Sequence, residues 1–285
     1  MNGLLIYHTI QTVHEQKRLQ HLIDAFARYK MKVVTVQLDQ VIRLLETTTT
    51  GFFSFAYLFA EDLQLAKALE TGYNLRVYNQ ETAINIANDR ALLSLTLRNE
   101  GISHPQTIVL PYVMNQSIMH QWNDVKTMIQ PLAFPFLIKE RYVSPNQPVY
   151  FIRSDDDLVA TFQRVGLKPL LAQEYMGPTS RKMIKVLVVF HHALASYEVI
   201  STSQEDVYKN APFSSRSPVY KVAVQTADAL GASIALVHML VINNHIPYVY
   251  GVKTNPDLEE IEMVTGTRVV DGVVKAIQRD LSRDR

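Results

Sequence analysis

The chain has 285 residues, of which 47% are hydrophobic and 19% are charged, so it can bury a large core and is not intrinsically disordered. Its 28 Lys and Arg residues nearly balance 27 Asp and Glu residues, and a net charge of +1 argues against a broad contact with nucleic acid or an anionic membrane. The lack of cysteine excludes disulfides and zinc–thiolate sites, and the lack of a secretory leader or of a run of roughly 18 apolar residues predicts a cytoplasmic protein without a membrane span.

Short apolar runs alternate with helical patterns in the first part of the chain. The runs start at Leu4, Lys32, Phe52 and Leu75. Strands that alternate with helices predict a doubly wound parallel sheet. No GxGxxG motif follows the first run, so the dinucleotide fingerprint is absent. Gly72 is expected to end a helix in the left-handed conformation.

The pattern changes after residues 101–105, where a glycine and a proline stop helical continuation. The runs 134–139 and 148–152 are expected to pair as antiparallel strands, and Ser154 is expected to cap the next helix. Further β-type runs predict a larger mixed sheet toward the C-terminus. The predicted domains are an N-terminal α/β domain, a central module and a C-terminal domain, with bounds of 1–104, 105–176 and 177–285.

A series of short motifs supports a family resemblance. In chain order the motifs are Leu75 with Asn79, Asp89-Arg90, Gly101-Ile102, Pro105-Gln106-Thr107, Pro135 to Lys139, Gln173 to Met176, and Asn255-Pro256 with Thr265-Gly266. The series resembles the ATP-grasp ligases, and its C-terminal part is similar to the ribosomal-protein glutamate ligase (RimK-like) branch. The resemblance implies an ATP-grasp fold of α/β and α+β class, preceded by a doubly wound α/β domain.

The resemblance also implies a set of site residues. Members of the family use ATP and magnesium to activate a carboxylate as an acyl-phosphate, which an amine then attacks. The implied nucleotide contacts are Arg90, Lys139 and Lys182 together with the adenine-binding hinge Gln173, Glu174, Tyr175 and Met176. The implied contacts to an anion or to the acid substrate are Lys185, Lys253 and Asn255.

Several positions depart from the family pattern. The segment from Glu140 to Pro148 contains no glycine, so a flexible loop that covers the phosphates is not expected. The positions of the family's metal ligands hold His238, Gly251 and Lys253, none of which supplies the hard oxygen atoms that magnesium requires. The sequence therefore predicts a bound ATP, makes magnesium doubtful and identifies no catalytic residue.

Two classes of function remain open at this point. One is an active ATP-dependent carboxylate–amine ligase with an atypical metal site, whose partners are a nucleotide and an amino acid or peptide carboxylate. The other is a non-catalytic, regulatory relative that binds a nucleotide or another anion, or only a protein partner. In the second class the ammonium of Lys253 would replace magnesium at the phosphates, unless Lys253 points to solvent. For His238 a hydrogen-bonded position in the core is expected.

Overall fold

The structure is a computed structural model that describes residues 2–111, 118–144, 146–165, 168–177, 181–201, 206–243 and 246–283. Within these ranges, none of the helices has the length and apolar character needed to cross a membrane. The described strands form three sheets, with four, four and five strands.

The N-terminal part forms a four-stranded sheet in the order β2-β1-β3-β4, and every pair of neighbours is parallel, as predicted. Helix α1 begins with a full capping box, in which the Thr12 side chain and the Glu15 carboxylate bond each other's backbone amides. The elements are β1 (Asn2–Tyr7), α1 (Val13–Arg28), β2 (Lys32–Gln37), α2 (Val41–Thr47), β3 (Phe55–Leu58), α3 (Leu63–Thr71), β4 (Arg76–Tyr78), α4 (Glu81–Asn88) and α5 (Arg90–Asn99).

The left-handed conformation predicted for Gly72 is wrong. Gly72 follows α3 with a φ of −88°, and the positive φ lies at Asn74, at 52°. A Cβ at Gly72 would lie 2.8 Å from the carbonyl oxygen of Ala68. Glycine therefore allows a close backbone approach here, while asparagine, which tolerates the left-handed region, makes the turn.

The central part forms a second sheet in the order β5-β8-β6-β7, with antiparallel pairs throughout. The predicted pairing of β6 with β7 is confirmed, and the Ser154 hydroxyl accepts the Asp157 amide at 3.2 Å. Strand β5 and helix α6 were not predicted. The elements are β5 (Thr107–Val109), α6 (Ile118–Ile129), β6 (Phe136–Glu140), β7 (Tyr150–Ile152), α7 (Asp155–Val165) and β8 (Leu170–Glu174).

The C-terminal sheet has the order β11-β10-β9-β12-β13, and all of its described pairs are antiparallel. The expected mixed sheet is therefore wrong, because three of the four pairs join strands that follow one another as hairpins. Ser217 caps α8, and Gly231 and Gly266 end α8 and α9 with φ of 66° and 69°. The elements are β9 (Arg181–Val189), β10 (His192–Ser201), β11 (Asp206–Asn210), α8 (Pro218–Leu230), β12 (Ile234–Ile242), β13 (Ile246–Lys253), α9 (Leu258–Thr265) and α10 (Val269–Ser282).

The N-terminal and C-terminal parts share one hydrophobic core, whereas the central part has its own. The shared core joins residues such as Phe26 and Phe55 to Leu187, Tyr197 and Val273. The buried Asn79 adds a polar link: its amide nitrogen donates to the carbonyls of Ile234 and Thr254 at 2.7 and 2.6 Å, and its oxygen accepts the Ile234 amide at 2.9 Å. The shared core and this link fix the position of β13 relative to the first sheet.

Candidate functional site

The first group of predicted residues surrounds Lys139 on β6. Its Nζ donates to Oε1 of Gln173 on the adjacent strand β8, at 2.6 Å. The β6–β8 register pairs Leu137 with Gln173, so side chains 137, 139 and 173 share one face of the sheet. Burial, with a smaller contribution from the charge of Arg90, lowers the pKa of Lys139 to about 8. The structure therefore brings two of the predicted phosphate contacts, Lys139 and Arg90, close together.

Arg90, the first residue of α5, is half-buried against the segment that follows β6. Its Nη1 donates to the carbonyl oxygens of Glu140 and Tyr142 at 2.6 and 3.3 Å, and to Oε1 of Gln147 at 3.1 Å. Burial lowers the pKa of Arg90, and the charge of Glu140 opposes this shift. Arg90 thus holds the segment that follows β6, where the family resemblance implied a glycine-rich loop and the sequence predicted none.

A second set of contacts fastens the same segment to the start of α5. Asp89 caps α5 by accepting the Ala91 amide at 2.9 Å, and it also receives a two-pronged bond from Arg141 at 2.9 and 2.7 Å. Burial raises the pKa of the Asp89 carboxyl, but the bonds from Arg141 and from the helix amides outweigh it, so the pKa is lowered. The Val143 amide donates to the Asn88 carbonyl at 2.8 Å. The segment is therefore held in place by side chains and backbone.

The hinge residues lie at the end of β8. The Glu174 amide donates to the Gln106 carbonyl at 2.8 Å, and its carboxylate accepts the Gln106 amide at 3.1 Å. The Tyr175 ring packs edge-on against Phe151, with ring centres 4.8 Å apart. Met176 is half-buried beside it. Of the four hinge residues, Tyr175 and Met176 are those whose backbone lies beyond the strand.

The second group of predicted residues lies on the C-terminal sheet. The registers of β10, β9, β12 and β13 align Tyr197, Lys185, His238 and Gly251 in one row across four strands. Lys185 Nζ lies 5.6 Å from the ring centre of Tyr197. Burial lowers the pKa of Lys185. Lys182 is exposed and, being an odd number of residues from Lys185, lies on the opposite face of the sheet, away from this row.

His238 lies at the centre of the row. Burial, followed by the charges of Lys185 and Lys253, lowers the pKa of His238 to about 3, so the imidazole is neutral near pH 7. Its Nε2 is buried without a hydrogen-bond partner among the described residues, contrary to the expected hydrogen-bonded position. A Cβ at Gly251 would lie 3.6 Å from Nδ1, so the imidazole lies over the glycine.

Lys253 ends β13 next to Glu61, a residue that the sequence did not single out. Burial raises the pKa of Glu61. This shift is opposed by a hydrogen bond from Thr254, by the charge of Lys253 and by the Asn88 side chain. Glu61 lies between β3 and α3, and no motif of the sequence analysis indicated a site role for it. Asn255 donates to the Phe59 carbonyl at 2.8 Å and so contacts the N-terminal backbone.

Asn88 connects the two groups. Its side chain acts to lower the pKa of Glu61, and its backbone carbonyl accepts the Val143 amide at 2.8 Å. Lys139 and Arg90 interact in the first group, and Lys185 and Lys253 both act on His238 in the second. Within the described ranges, no group of three or more His, Asp or Glu side chains could hold a metal ion.

Solved structures define the class of the fold. Over 100% of both chains, the protein is similar to D-alanine–D-alanine ligase from Bacillus anthracis complexed with ATP, with a TM-score of 0.73 and 17% identity. An ATP-grasp RimK domain protein from Sphaerobacter thermophilus covers 97% of this chain and 99% of its own, with a TM-score of 0.73 and 20% identity. D-cycloserine synthetase DcsG has a TM-score of 0.71 and 13% identity, over 99% of this chain and 100% of its own. The fold is the ATP-grasp fold.

The sequence match narrows this class to a family. Residues 87–277 match the RimK-like ATP-grasp domain, and the chain belongs to the RimK-like branch of the ATP-grasp proteins. A probable alpha-L-glutamate ligase of Desulfotalea psychrophila is 28% identical over 138 residues. That match covers 46% of this chain and 29% of the relative, so the chain spans less than a third of the length of the curated protein it matches.

Proposed function

We propose that this protein binds ATP in the region between the central and C-terminal sheets and neutralises its phosphates with side-chain cations in place of magnesium, in a non-catalytic or regulatory role. The observation that carries the proposal is the charge around His238. Lys185 and Lys253 both act on its buried imidazole, in a region where the family uses metal ligands. Membership in a family of ligase-like, ATP-binding proteins supports the nucleotide.

The residues around Lys139 suit a phosphate tail. Lys139 and Arg90 are both substantially buried, and their pKa values are lowered mainly because burial disfavours the charged form. An anion placed between them would relieve this cost by pairing with both charges. The two cations on the C-terminal sheet would extend the same positive region toward the end of the phosphate chain.

The residues at the family's metal positions do not suit magnesium. A neutral imidazole, a glycine and an ammonium offer none of the oxygen ligands that Mg²⁺ prefers. Nearby carboxylates are Glu61, which acts with Lys253 and is engaged by a hydrogen bond from Thr254, and Glu260 and Asp206, which act on Lys185. No magnesium-dependent step is therefore assigned to the protein.

An active carboxylate–amine ligase is the second candidate, and family membership favours it. Its acid would be an amino acid or peptide carboxylate, activated through an acyl-phosphate. It would require Glu61 or Glu260 to supply the metal ligands that the aligned positions lack. Magnesium dependence of nucleotide binding therefore separates the two candidates.

The test is a calorimetric titration of the purified protein with ATP, with and without magnesium. We expect binding of similar affinity in both conditions, loss of binding in Lys139→Ala and weaker binding in Lys253→Glu, because both changes remove a positive charge at the phosphates. Lys275→Ala, which removes an exposed lysine on α10, is the matched control and should bind as the wild type does.

Each outcome assigns the protein to one class. Affinity that requires magnesium supports the ligase candidate and contradicts the substitution of side-chain cations for the metal. Unchanged affinity in both Lys139→Ala and Lys253→Glu contradicts the placement of the site. No binding in any condition contradicts the proposal and favours a protein partner.

A further inference from the structure

Gln173 and Thr107 form a buried hydrogen-bonded chain that ends on Lys139. The Thr107 hydroxyl donates to the Pro105 carbonyl at 3.0 Å, and Gln173 Nε2 donates to the Thr107 hydroxyl oxygen at 3.0 Å. Gln173 Oε1 then accepts Lys139 Nζ at 2.6 Å. Both Thr107 and Gln173 are 7% exposed, so the chain is shielded from water.

The direction of this chain is fixed at its first member. A backbone carbonyl only accepts, so the Thr107 proton must point to Pro105 and the hydroxyl oxygen is left to accept. The Gln173 amide therefore turns its nitrogen to Thr107 and its oxygen to Lys139. The opposite orientation would place an NH₂ group against the ammonium and leave two buried donors facing each other.

A neutral acceptor has a specific consequence for a phosphate-binding lysine. Oε1 of Gln173 holds the ammonium in place without cancelling its charge, whereas a glutamate at this position would pair with the charge and compete with an incoming anion. Arg90 is the other cation that acts on Lys139. The positive charge of Lys139 thus remains available to a ligand.

We propose that Gln173 is a positioning residue that holds Lys139 for the phosphates, and that Thr107 fixes the orientation of the Gln173 amide. This inference rests on the proposed binding of ATP. It gives the Gln173 side chain a role separate from the backbone contact to adenine that the family resemblance implies for the hinge, because both polar atoms of this side chain are engaged within the protein.

The first experiment measures binding of ATP and of adenosine to Thr107→Val, Thr107→Ser, Gln173→Met and the double variant Thr107→Val/Gln173→Met. We expect Thr107→Val and Gln173→Met each to weaken ATP roughly tenfold, the effect of one lost hydrogen bond to a charged group, with adenosine unchanged. Thr107→Ser keeps the hydroxyl and should restore the affinity. The double variant should lose no more ATP affinity than Gln173→Met alone, because both substitutions interrupt the same series of hydrogen bonds.

The second experiment needs no nucleotide, so it separates this inference from the proposed function. The side-chain signal of Lys139 is followed by NMR in protein with labelled lysine, and the Lys139→Arg variant assigns it. We expect the titration midpoint to fall by roughly half a pH unit or more in Gln173→Met and in Thr107→Val, and to recover in Thr107→Ser, because the charged form loses an acceptor.

Two results would overturn the inference. One is an unchanged Lys139 titration in both Gln173→Met and Thr107→Val. The other is an equal loss of adenosine and ATP affinity in Gln173→Met, which would assign Gln173 to the base. If the wild type does not bind ATP but the variants show the expected shifts in the Lys139 titration, the proposed function is rejected. The inference that Gln173 and Thr107 position Lys139 then still holds.

Discussion

At the scale of single residues, the two sheets hold their cations differently. Lys139 donates to a neutral amide, whereas Lys185 lies over the rings of Tyr197 and Tyr208, at 5.6 and 5.8 Å from the ring centres. Neither arrangement cancels the positive charge, since an amide and an aromatic face are both neutral. The two cations also differ in nearby anions, since the carboxylates of Glu260 and Asp206 act on Lys185, whereas the charge that acts on Lys139 is that of Arg90.

His238 leads to a prediction of pH-dependent stability. Because its pKa is lowered from 6.5 to about 3, the unfolded chain binds a proton below pH 6.5 that the native protein does not bind. The contribution of His238 should therefore lower the free energy of unfolding by about 2 kcal/mol between pH 7 and pH 5. Above pH 7 this contribution should stay constant.

Urea unfolding of His238→Gln at pH 7 and pH 5 checks this expectation. Between pH 7 and pH 5 the free energy of unfolding of the variant should fall by about 2 kcal/mol less than that of the wild type, because glutamine does not titrate. His192→Gln, which replaces an exposed histidine on β10, is the control and should follow the wild type. Parallel losses in His238→Gln and the wild type would show that the buried imidazole is protonated as readily as in the unfolded chain.

At the scale of elements, the segment after β6 is fixed to the junction of α4 and α5 by a charged pair. The Asp89 side chain is 4% exposed and that of Arg141 is 32% exposed. Loss of Arg141 would leave the buried carboxylate with its helix amides alone. A segment held in this way keeps a defined shape without the glycines of the family pattern.

Arg141→Met should lower the free energy of unfolding by about 2 kcal/mol, because it leaves a buried charge without its partner. Asp89→Asn should lower the free energy of unfolding by less than Arg141→Met does, since asparagine still caps the helix. Arg28→Met is the matched control: its pair with Asp271, at 2.6 Å, is more exposed, and its loss should cost less than about 1 kcal/mol. Thermal and urea unfolding measure all three, and equal losses in the two arginine variants would contradict a special role for the Asp89 pair.

At the scale of the whole molecule, the hydrophobic cores do not follow the order of the chain. The first and last parts share a core and the Asn79 link, whereas the core of the central part is built from residues between Ile108 and Ala172. The domain bounds at residues 104 and 176 remain a prediction. Segments that share a core exchange their amides together when they open.

Amide hydrogen exchange followed by mass spectrometry tests this organisation. We expect peptides from residues 105–176 to exchange as one unit, and peptides from β1 and β12 to share a slower rate, because the shared core must open as a whole. Asn79→Ala should accelerate exchange in both β1 and β12 while leaving the central unit unchanged, since it leaves Ile234 with unpaired backbone groups. Acceleration confined to the first sheet would contradict the shared core.

The sequence determined a large part of the fold through local signals. Strand–helix alternation predicted the parallel first sheet, Ser217 and Gly231 marked the ends of α8, and the pairing of β6 with β7 followed from their runs. These signals are local, because caps, turns and periodicity depend on neighbours in the chain. Strand β5 and helix α6 carried weaker patterns and were missed.

Only the tertiary structure decided how the site residues are combined. Glu61 and Lys253 are far apart in the chain, and the register of three strands, β9, β12 and β13, places His238 between Lys185 and Gly251. The direction of the Gln173 amide depends on Thr107, which β5 brings alongside β8. Motifs in the sequence named the family and most of the charged residues, but the pairing of charges and hydrogen bonds is set by contacts between distant segments, which no local pattern encodes.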